Sequence, residues 1–141
     1  MAPKKVDSLR KVPLFSHCSS SELDFLSTRM DEVSLDPGRI LISEGQPTDS
    51  FFVLLAGEVE VSRKGQPVRR MVAGEFFGEI GMLDRGSATA TVKTTQPAEA
   101  LVMSHAQFRD AIKANESLLV KVLAAMGERL RADLAAAHQH D

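Results

Sequence analysis

The sequence predicts a mostly β protein in which seven or eight antiparallel strands double back as a jelly roll, with helices before and after. Three observations carry this. From about residue 31 to 104 apolar residues recur at a period of two. Turn signals cut that stretch into short runs, and no helical crossover intervenes, which argues against a parallel sheet. On either side the apolar period lengthens to three and four, as an amphipathic helix requires.

Taken in order, residues 7–30 are expected to be helical. Leu9, Val12, Leu14 and Phe15 open the segment, and "SSSELDFLSTRM" continues it. Ser20 or Ser21 can cap, Glu22 and Asp24 fall in the first turn, and Leu23, Phe25, Leu26 and Met30 form the apolar face. The strand region spans 31–104. "EVSL" leads to the turn "DPG", and "RILISEG" alternates up to Gly45. "QPTDS" is a turn cluster, and "FFVLLAG" is a continuous apolar run, expected to be buried. "EVEVSRKG" alternates, with Val59 and Val61 inward; "VRRMVAG" follows the turn "KGQP". "ATATVKT" and "AEALVMS" close the region. The third segment, 105–137, holds "SHAQFRDAIKAN", capped by Ser104, and a longer helix from "ESLLV" onward. Leu119, Val122, Leu123, Met126, Leu130 and Leu134 recur along it and are expected to share one face. That face either packs on the core or pairs with a second copy. The three segments are read as one domain, which suits 141 residues.

Composition excludes several function classes. The formal net charge is −2, which is not the footprint of a nucleic-acid binder. Lys4-Lys5, Arg10-Lys11, Arg63-Lys64 and Arg69-Arg70 are scattered doublets, read as solvated surface charge. One cysteine, Cys18, rules out an intrachain disulfide and fits a reducing compartment. The N-terminus "MAPKKVDSLRKV" lacks the apolar run of a secretory signal, and no stretch approaches the ~18 apolar residues of a membrane span. A cytoplasmic protein is expected. His17, His105, His138 and His140 fall in loops or helix ends, without a nucleophile or metal-ligand spacing beyond the weak "HQHD" tail. No enzyme, metal or cofactor is therefore expected. Asp84, the only second acid near Glu79, is explained more simply by turn capping.

The stretch "GEFFGEIGMLDRGSATATV", residues 74–92, stands apart. It reads as a strand end, a single helical turn over Glu79–Leu83, a tight loop and a new strand. The first N–H groups of such a turn have no partner within it and suit an anion. Gly78 and Gly81 would let a ligand approach the backbone closely. A carboxylate there needs a donor, and a ribose hydroxyl is one. The residues thus suit a sugar phosphate or nucleotide at Glu79; a plain surface turn with a capping Glu is the alternative.

"LRKVPLFSHCSSSELDFL", "DPGRILISEGQPTDSFFVLLAGEVEV" and "GEFFGEIGMLD" followed by "ATATV" resemble the cyclic-nucleotide-binding domain family, found in catabolite-activator-type regulators, cyclic-nucleotide-dependent kinases and gated channels. The likeness runs from about Leu9 to Leu130. It implies an eight-stranded jelly roll with a helical lid, and it makes residues 74–92 the phosphate-binding cassette for cAMP or cGMP. By that likeness Glu79 takes the ribose 2′-hydroxyl. Gly78, Ile80, Gly81 and Met82 line the sugar phosphate, with amides of Gly81 and Met82 on the phosphate. Thr89 and Ala90 follow the phosphate position. Val59, Val61, Met71 and Val72 are candidates for the base pocket.

One position departs from the pattern: Ala88 stands where the family has the arginine that pairs with the phosphate. Losing a desolvated charge partner costs about 2–5 kcal/mol, and a decade of affinity is about 1.4 kcal/mol. Arg85, three residues earlier, is the candidate substitute cation, with Ser87 and Thr89 as neutral donors. Two functions stay open. One is a stand-alone sensor of cAMP or cGMP, signalling to an unknown effector protein by moving its C-terminal helix. The other is a degenerate domain that dimerises or docks. With the chain stopping at Asp141, no DNA-binding helix-turn-helix is expected within it.

Overall fold

The structure is a computed structural model that describes residues 2–139, with side chains described from Lys5 to Ala137. Its element order is α1 (Ala2–Arg10), a 3-10 turn (Pro13–Phe15), α2 (Ser20–Thr28), β1 (Asp31–Leu35), β2 (Ile40–Ile42), β3 (Ser50–Ala56), β4 (Glu58–Arg63), β5 (Gln66–Val72), β6 (Phe76–Phe77), α3 (Glu79–Asp84), β7 (Thr91–Thr94), β8 (Ala98–Ser104), α4 (His105–Ala114) and α5 (Ser117–Gln139). Two units are distinguished: residues 28–110, which hold the strands, and a helical unit made of residues up to Ser27 together with those from Ala111.

The eight strands form two four-stranded antiparallel sheets, ordered β1-β8-β3-β6 and β2-β7-β4-β5. This is the jelly-roll order in an open sandwich, not a closed barrel. Strand alternation places Val59 with Met71 across β4 and β5, and both join Leu35, Ile42, Phe52, Leu54, Phe77 and Val92 in one apolar cluster. The run Phe51–Leu54 is buried at every position, as a strand covered on both faces must be. Thr94 anchors the "DPG" turn: its hydroxyl donates to the Asp36 carbonyl (2.6 Å) and accepts the Arg39 amide (2.8 Å). Gly38 makes that turn with φ +80. Two of the basic residues are surface charges with acidic neighbours, Arg69 on Glu75 (2.8 Å) and Arg70 on Glu58 (3.1 Å). Lys93 is exposed and Val92 buried, as the strand period requires.

In the helical unit the cap of α2 lies one residue earlier than expected. Ser19, not Ser20 or Ser21, accepts the Glu22 amide (3.2 Å), and Glu22 takes the Ser19 amide in return (2.8 Å). This is the S-x-x-E capping box, with the glutamate three residues after the serine. Ser104 and Gln107 repeat it at the start of α4, at 2.8 and 3.1 Å. Glu22 has a second task. Its carboxylate takes Lys121 Nζ at 2.7 Å and the Ser117 hydroxyl, both on α5. The expected single stripe on α5 divides in two. Leu118, Val122 and Ala125 are buried, whereas Leu119, Leu123, Met126, Leu130 and Leu134 are exposed. Val122 therefore leaves the face assigned to it, because 3.6 residues per turn rotate it toward Leu118 and Ala125. Cys18 is buried, and that burial pushes its thiol up to about 11, so it stays protonated at neutral pH. Among the described residues no helix is long and apolar enough to cross a membrane, and no group of His, Cys, Asp and Glu could hold a metal. His140 and the side chain of His138 lie outside the described residues.

The Lys121 ammonium, then the Ser117 hydroxyl and the Ser19 amide, hold the Glu22 carboxyl at about 2 rather than 4.5. A carboxyl pKa lowered by folding stabilises the fold above its unfolded value. That contribution is lost as pH falls from about 4.5 toward 2. Glu22→Gln should therefore lose about 1–3 kcal/mol at pH 7, and its deficit against the parent should shrink steadily as pH falls from about 4.5 to about 2. Urea unfolding of both proteins across that range checks this.

Candidate functional site

The cassette is built from the floor upward. Phe52 stacks on Phe77 with ring centroids 5.0 Å apart, and Phe51 meets Phe76 edge-on at 6.3 Å. These contacts fasten the two-residue β6 to β3 and fix where the chain leaves the sheet. Gly78 then turns into the left-handed region at φ +86 and starts α3. Arg85 ends the helix, also left-handed at φ +56, its amide on the Gly81 carbonyl at 2.8 Å. Asp84 Oδ1 accepts the Gly86 amide at 2.8 Å, the turn-capping role expected of it. The chain then returns along residues 86–88, laced to the turn before β3. Thr48 N–H donates to the Gly86 carbonyl (3.0 Å), Ala88 N–H to Gln46 (2.9 Å) and Gly45 N–H to Ala88 (2.8 Å).

The two cassette glycines have a packing role that the sequence did not indicate. A Cβ at Gly78 would stand 2.3 Å from the Ser50 carbonyl oxygen, and one at Gly81 would stand 2.5 Å from the Thr48 methyl. The space a side chain would fill is taken by the protein's own β3 edge and its preceding turn. These glycines let the cassette press onto that ledge. Met82 requires a correction. Its amide donates to the Gly78 carbonyl at 3.1 Å, the first bond of the helix, so it is not directed at a phosphate. The amides of Ile80 and Gly81 precede that bond and have no acceptor inside the helix.

Glu79 is half-buried, with its Oε2 withdrawn from solvent. Ile80 is 53% exposed, Met82 is fully buried, and Arg85 is exposed at the far end of α3 from Gly78. Ala88 packs its methyl against the apolar cluster, Ala90 is half-buried and Thr89 is exposed. Of the base-pocket candidates, Val59 and Met71 are core residues, Val61 packs against that core, and Val72 is 50% exposed. Val72 follows Met71 on a strand, so one points in and the other out. A separate hollow of about 480 Å³ lies among Val33, Leu41, Phe52 and Val102 of β1, β2, β3 and β8. No cassette residue lines it.

Two residues that the sequence did not mark touch the cassette. His105 Nδ1 lies 2.7 Å from the Met82 carbonyl; a carbonyl only accepts, so that nitrogen carries the proton. The His105 amide also donates to the Asp49 carbonyl at 2.8 Å, next to Thr48. Arg63, at the end of β4, donates from Nε to the Thr89 carbonyl at 3.2 Å. Neither contact had a sequence signal beyond the polar residue itself, since both join elements distant in the chain.

With this geometry established, comparison with known proteins is informative. The family model of the cyclic nucleotide-binding domain matches residues 32–115, more than half of the chain. The chain belongs to the cyclic nucleotide-binding domain family. It is 34% identical over 90 residues to a cAMP-dependent protein kinase regulatory subunit of Yarrowia lipolytica, a match covering 61% of this chain and 24% of that protein. It is likewise 34% identical over 97 residues to a cAMP-activated global transcriptional regulator of Haemophilus influenzae, covering 64% of this chain and 43% of that one. The chain thus spans less than half the length of these curated relatives. Among solved structures, the N-terminal domain of a transcriptional regulator from Streptomyces coelicolor superposes with a TM-score of 0.84 at 27% identity, over 90% of this chain and 94% of that chain. The resemblance read from the sequence is thereby established, as is the β-roll fold it implied.

The ledge contacts rank two substitutions. Gly78→Ala meets a backbone oxygen and a left-handed φ, and should destabilise by roughly 1–3 kcal/mol or more. Gly81→Ala meets a methyl that can rotate and gains helix propensity. It should cost less, and Thr48→Ser should relieve most of its cost. Thermal unfolding of the three single variants and of Gly81→Ala/Thr48→Ser tests this order.

Proposed function

We propose that this chain is a regulatory domain that binds cAMP or cGMP at the cassette and signals by movement of its C-terminal helix. The observation that carries the reading is the retained cassette. The left-handed Gly78, the amides of Ile80 and Gly81 at the start of α3, and the half-buried Glu79 are all present within a family-matched β roll. In this reading the amides receive the phosphate and Glu79 accepts from the ribose 2′-hydroxyl. The protein is regulatory rather than catalytic, and it works in the cytoplasm, where a lone thiol such as Cys18 stays reduced. The His105 contact to the Met82 carbonyl supports the signalling half. A shift of α3 would break or drag a hydrogen bond made by the first residue of α4.

The competing reading is a degenerate domain that no longer binds a nucleotide and serves in dimerisation or docking. What favours it is Ala88, whose methyl lies against the apolar cluster where a cation would otherwise meet the phosphate. The exposed Leu119, Leu123, Met126, Leu130 and Leu134 on α5 suit a helix that pairs with its copy. Dimerisation is compatible with either reading.

Calorimetric titration with cAMP and with cGMP separates the two. The sensor reading expects saturable binding in the parent, loss in Glu79→Ala, and tightening in Ala88→Arg by up to about tenfold to a hundredfold, the worth of one charge-assisted hydrogen bond. No heat with either nucleotide in the parent would leave the docking reading in possession. Sedimentation addresses α5 separately: Met126→Glu with Leu130→Glu should give a monomer where the parent is a dimer.

A further inference from the structure

A cyclic nucleotide bound at the cassette brings one phosphate negative charge, and a poorly solvated charge needs a partner. The cations around the cassette differ in how they are placed. Arg85 closes α3 at its C-terminal end, exposed and four residues after Gly81. Lys93 is exposed on the outward register of β7, next to buried Val92. Arg63, also exposed, differs in its partner: it ends β4 just past the shift in pairing register between Val61 and Ser62. Its Nε donates to the Thr89 carbonyl, one residue beyond Ala88. The acceptor thus belongs to the residue that follows the position where, by the resemblance, the family carries its arginine.

The hairpin end that carries Arg63 is fixed to the same part of the sheet. Ser62 pairs with Thr91 across β4 and β7. The Lys64 amide donates to Glu44 Oε1 at 2.8 Å, and the Glu44 amide donates to Thr91 Oγ1 at 3.0 Å. The bond to Thr89 uses one of the five N–H donors of a guanidinium. The two terminal amino groups form the fork that binds phosphate in a bidentate manner.

We propose that Arg63 supplies the guanidinium that pairs with the ligand phosphate, entering from β4 in place of a side chain at Ala88. The inference rests on the cyclic-nucleotide reading above and adds the residue that gives the site its charge. It reassigns an arginine that the sequence presents as one half of a surface doublet. It also makes the site a joint product of the cassette and the β4–β5 hairpin.

The test is titration of the full chain with cAMP and with cGMP for the parent, Arg63→Gln, Arg63→Lys and Arg63→Gln/Ala88→Arg, with thermal melts to confirm folding. Gln keeps a donor for the Thr89 carbonyl and removes the charge; Lys keeps the charge. Arg63→Gln should weaken binding about tenfold to a hundredfold, the range of one charge-assisted hydrogen bond. Arg63→Lys keeps the charge but not the fork, and should fall between the parent and Arg63→Gln. Adding Ala88→Arg should recover affinity in the Gln background by more than it adds to the parent, because the two guanidinium groups serve one phosphate. Parent-like binding by Arg63→Gln overturns the inference and leaves the proposed function standing. So does an equal loss in Gln and Lys, which would mark Arg63 as a scaffold for the hairpin. Absence of saturable binding in the parent removes the proposed function and this inference together.

Discussion

The position of the cassette depends on one close approach: Gly78 lies against the Ser50 carbonyl, in a space that no side chain can share. Gly81 on Thr48 repeats the constraint one helical turn later. Both neighbours belong to the start of β3 or to the turn before it, and β3 lies at the centre of its sheet between β8 and β6. The helix is thus pinned to a central strand rather than to a loop. The bonds among residues 45–48 and 86–88 then fix its return limb. A six-residue helix has little stability of its own. Here the packing ledge and the left-handed caps at both ends hold it, and the amides at its start have a defined direction because of that.

This arrangement separates shape from charge. Main-chain donors and glycines give the cassette its shape, and they survive replacement of individual side chains. The charge that an anionic ligand needs comes from one side chain, and a single substitution removes it. Ala88 is partly buried and packs against the apolar cluster. If, as the resemblance implies, an arginine belongs at that position, its replacement alters electrostatics without altering the fold. A cation can be regained from any element that borders the return limb, and β4 is such an element.

Much of the fold was legible because it is written in periods. Alternation in "EVEVSRKG" and the unbroken apolar run "FFVLLAG" gave β4 and β3 with their burial, and Ser104 gave the start of α4. The misses share a cause. The cap of α2 was placed at Ser20 or Ser21 because three serines in a row offer equal local chemistry. The partner that selects Ser19 is Glu22, three residues on. Val122 was put on the wrong face of α5 because steps of three and four fit two overlapping stripes. The site was legible in its residue types and less so in their tasks. Gly78 and Gly81 were marked, but whether a glycine admits a ligand or a neighbouring strand depends on what stands opposite. His105 and Arg63 touch the cassette from elements 20 or more residues away in sequence, and no local pattern encodes such a meeting.

The two faces of α5 differ in what they contact. Its first half is committed: Leu118, Val122 and Ala125 are buried, and Lys121 and Ser117 grip Glu22 of α2. From Met126 onward the described residues through Ala137 are exposed, Leu130 and Leu134 among them. Exposed leucines scattered singly need no explanation. Five apolar residues at steps of four, three, four and four are a seam, and a seam is stabilised only when something covers it. The buried half fixes the helix in its own unit, and the exposed half offers a surface whose occupation depends on how the helix is presented. In the proposed reading, a change in how that seam is presented on ligand binding would be the signal.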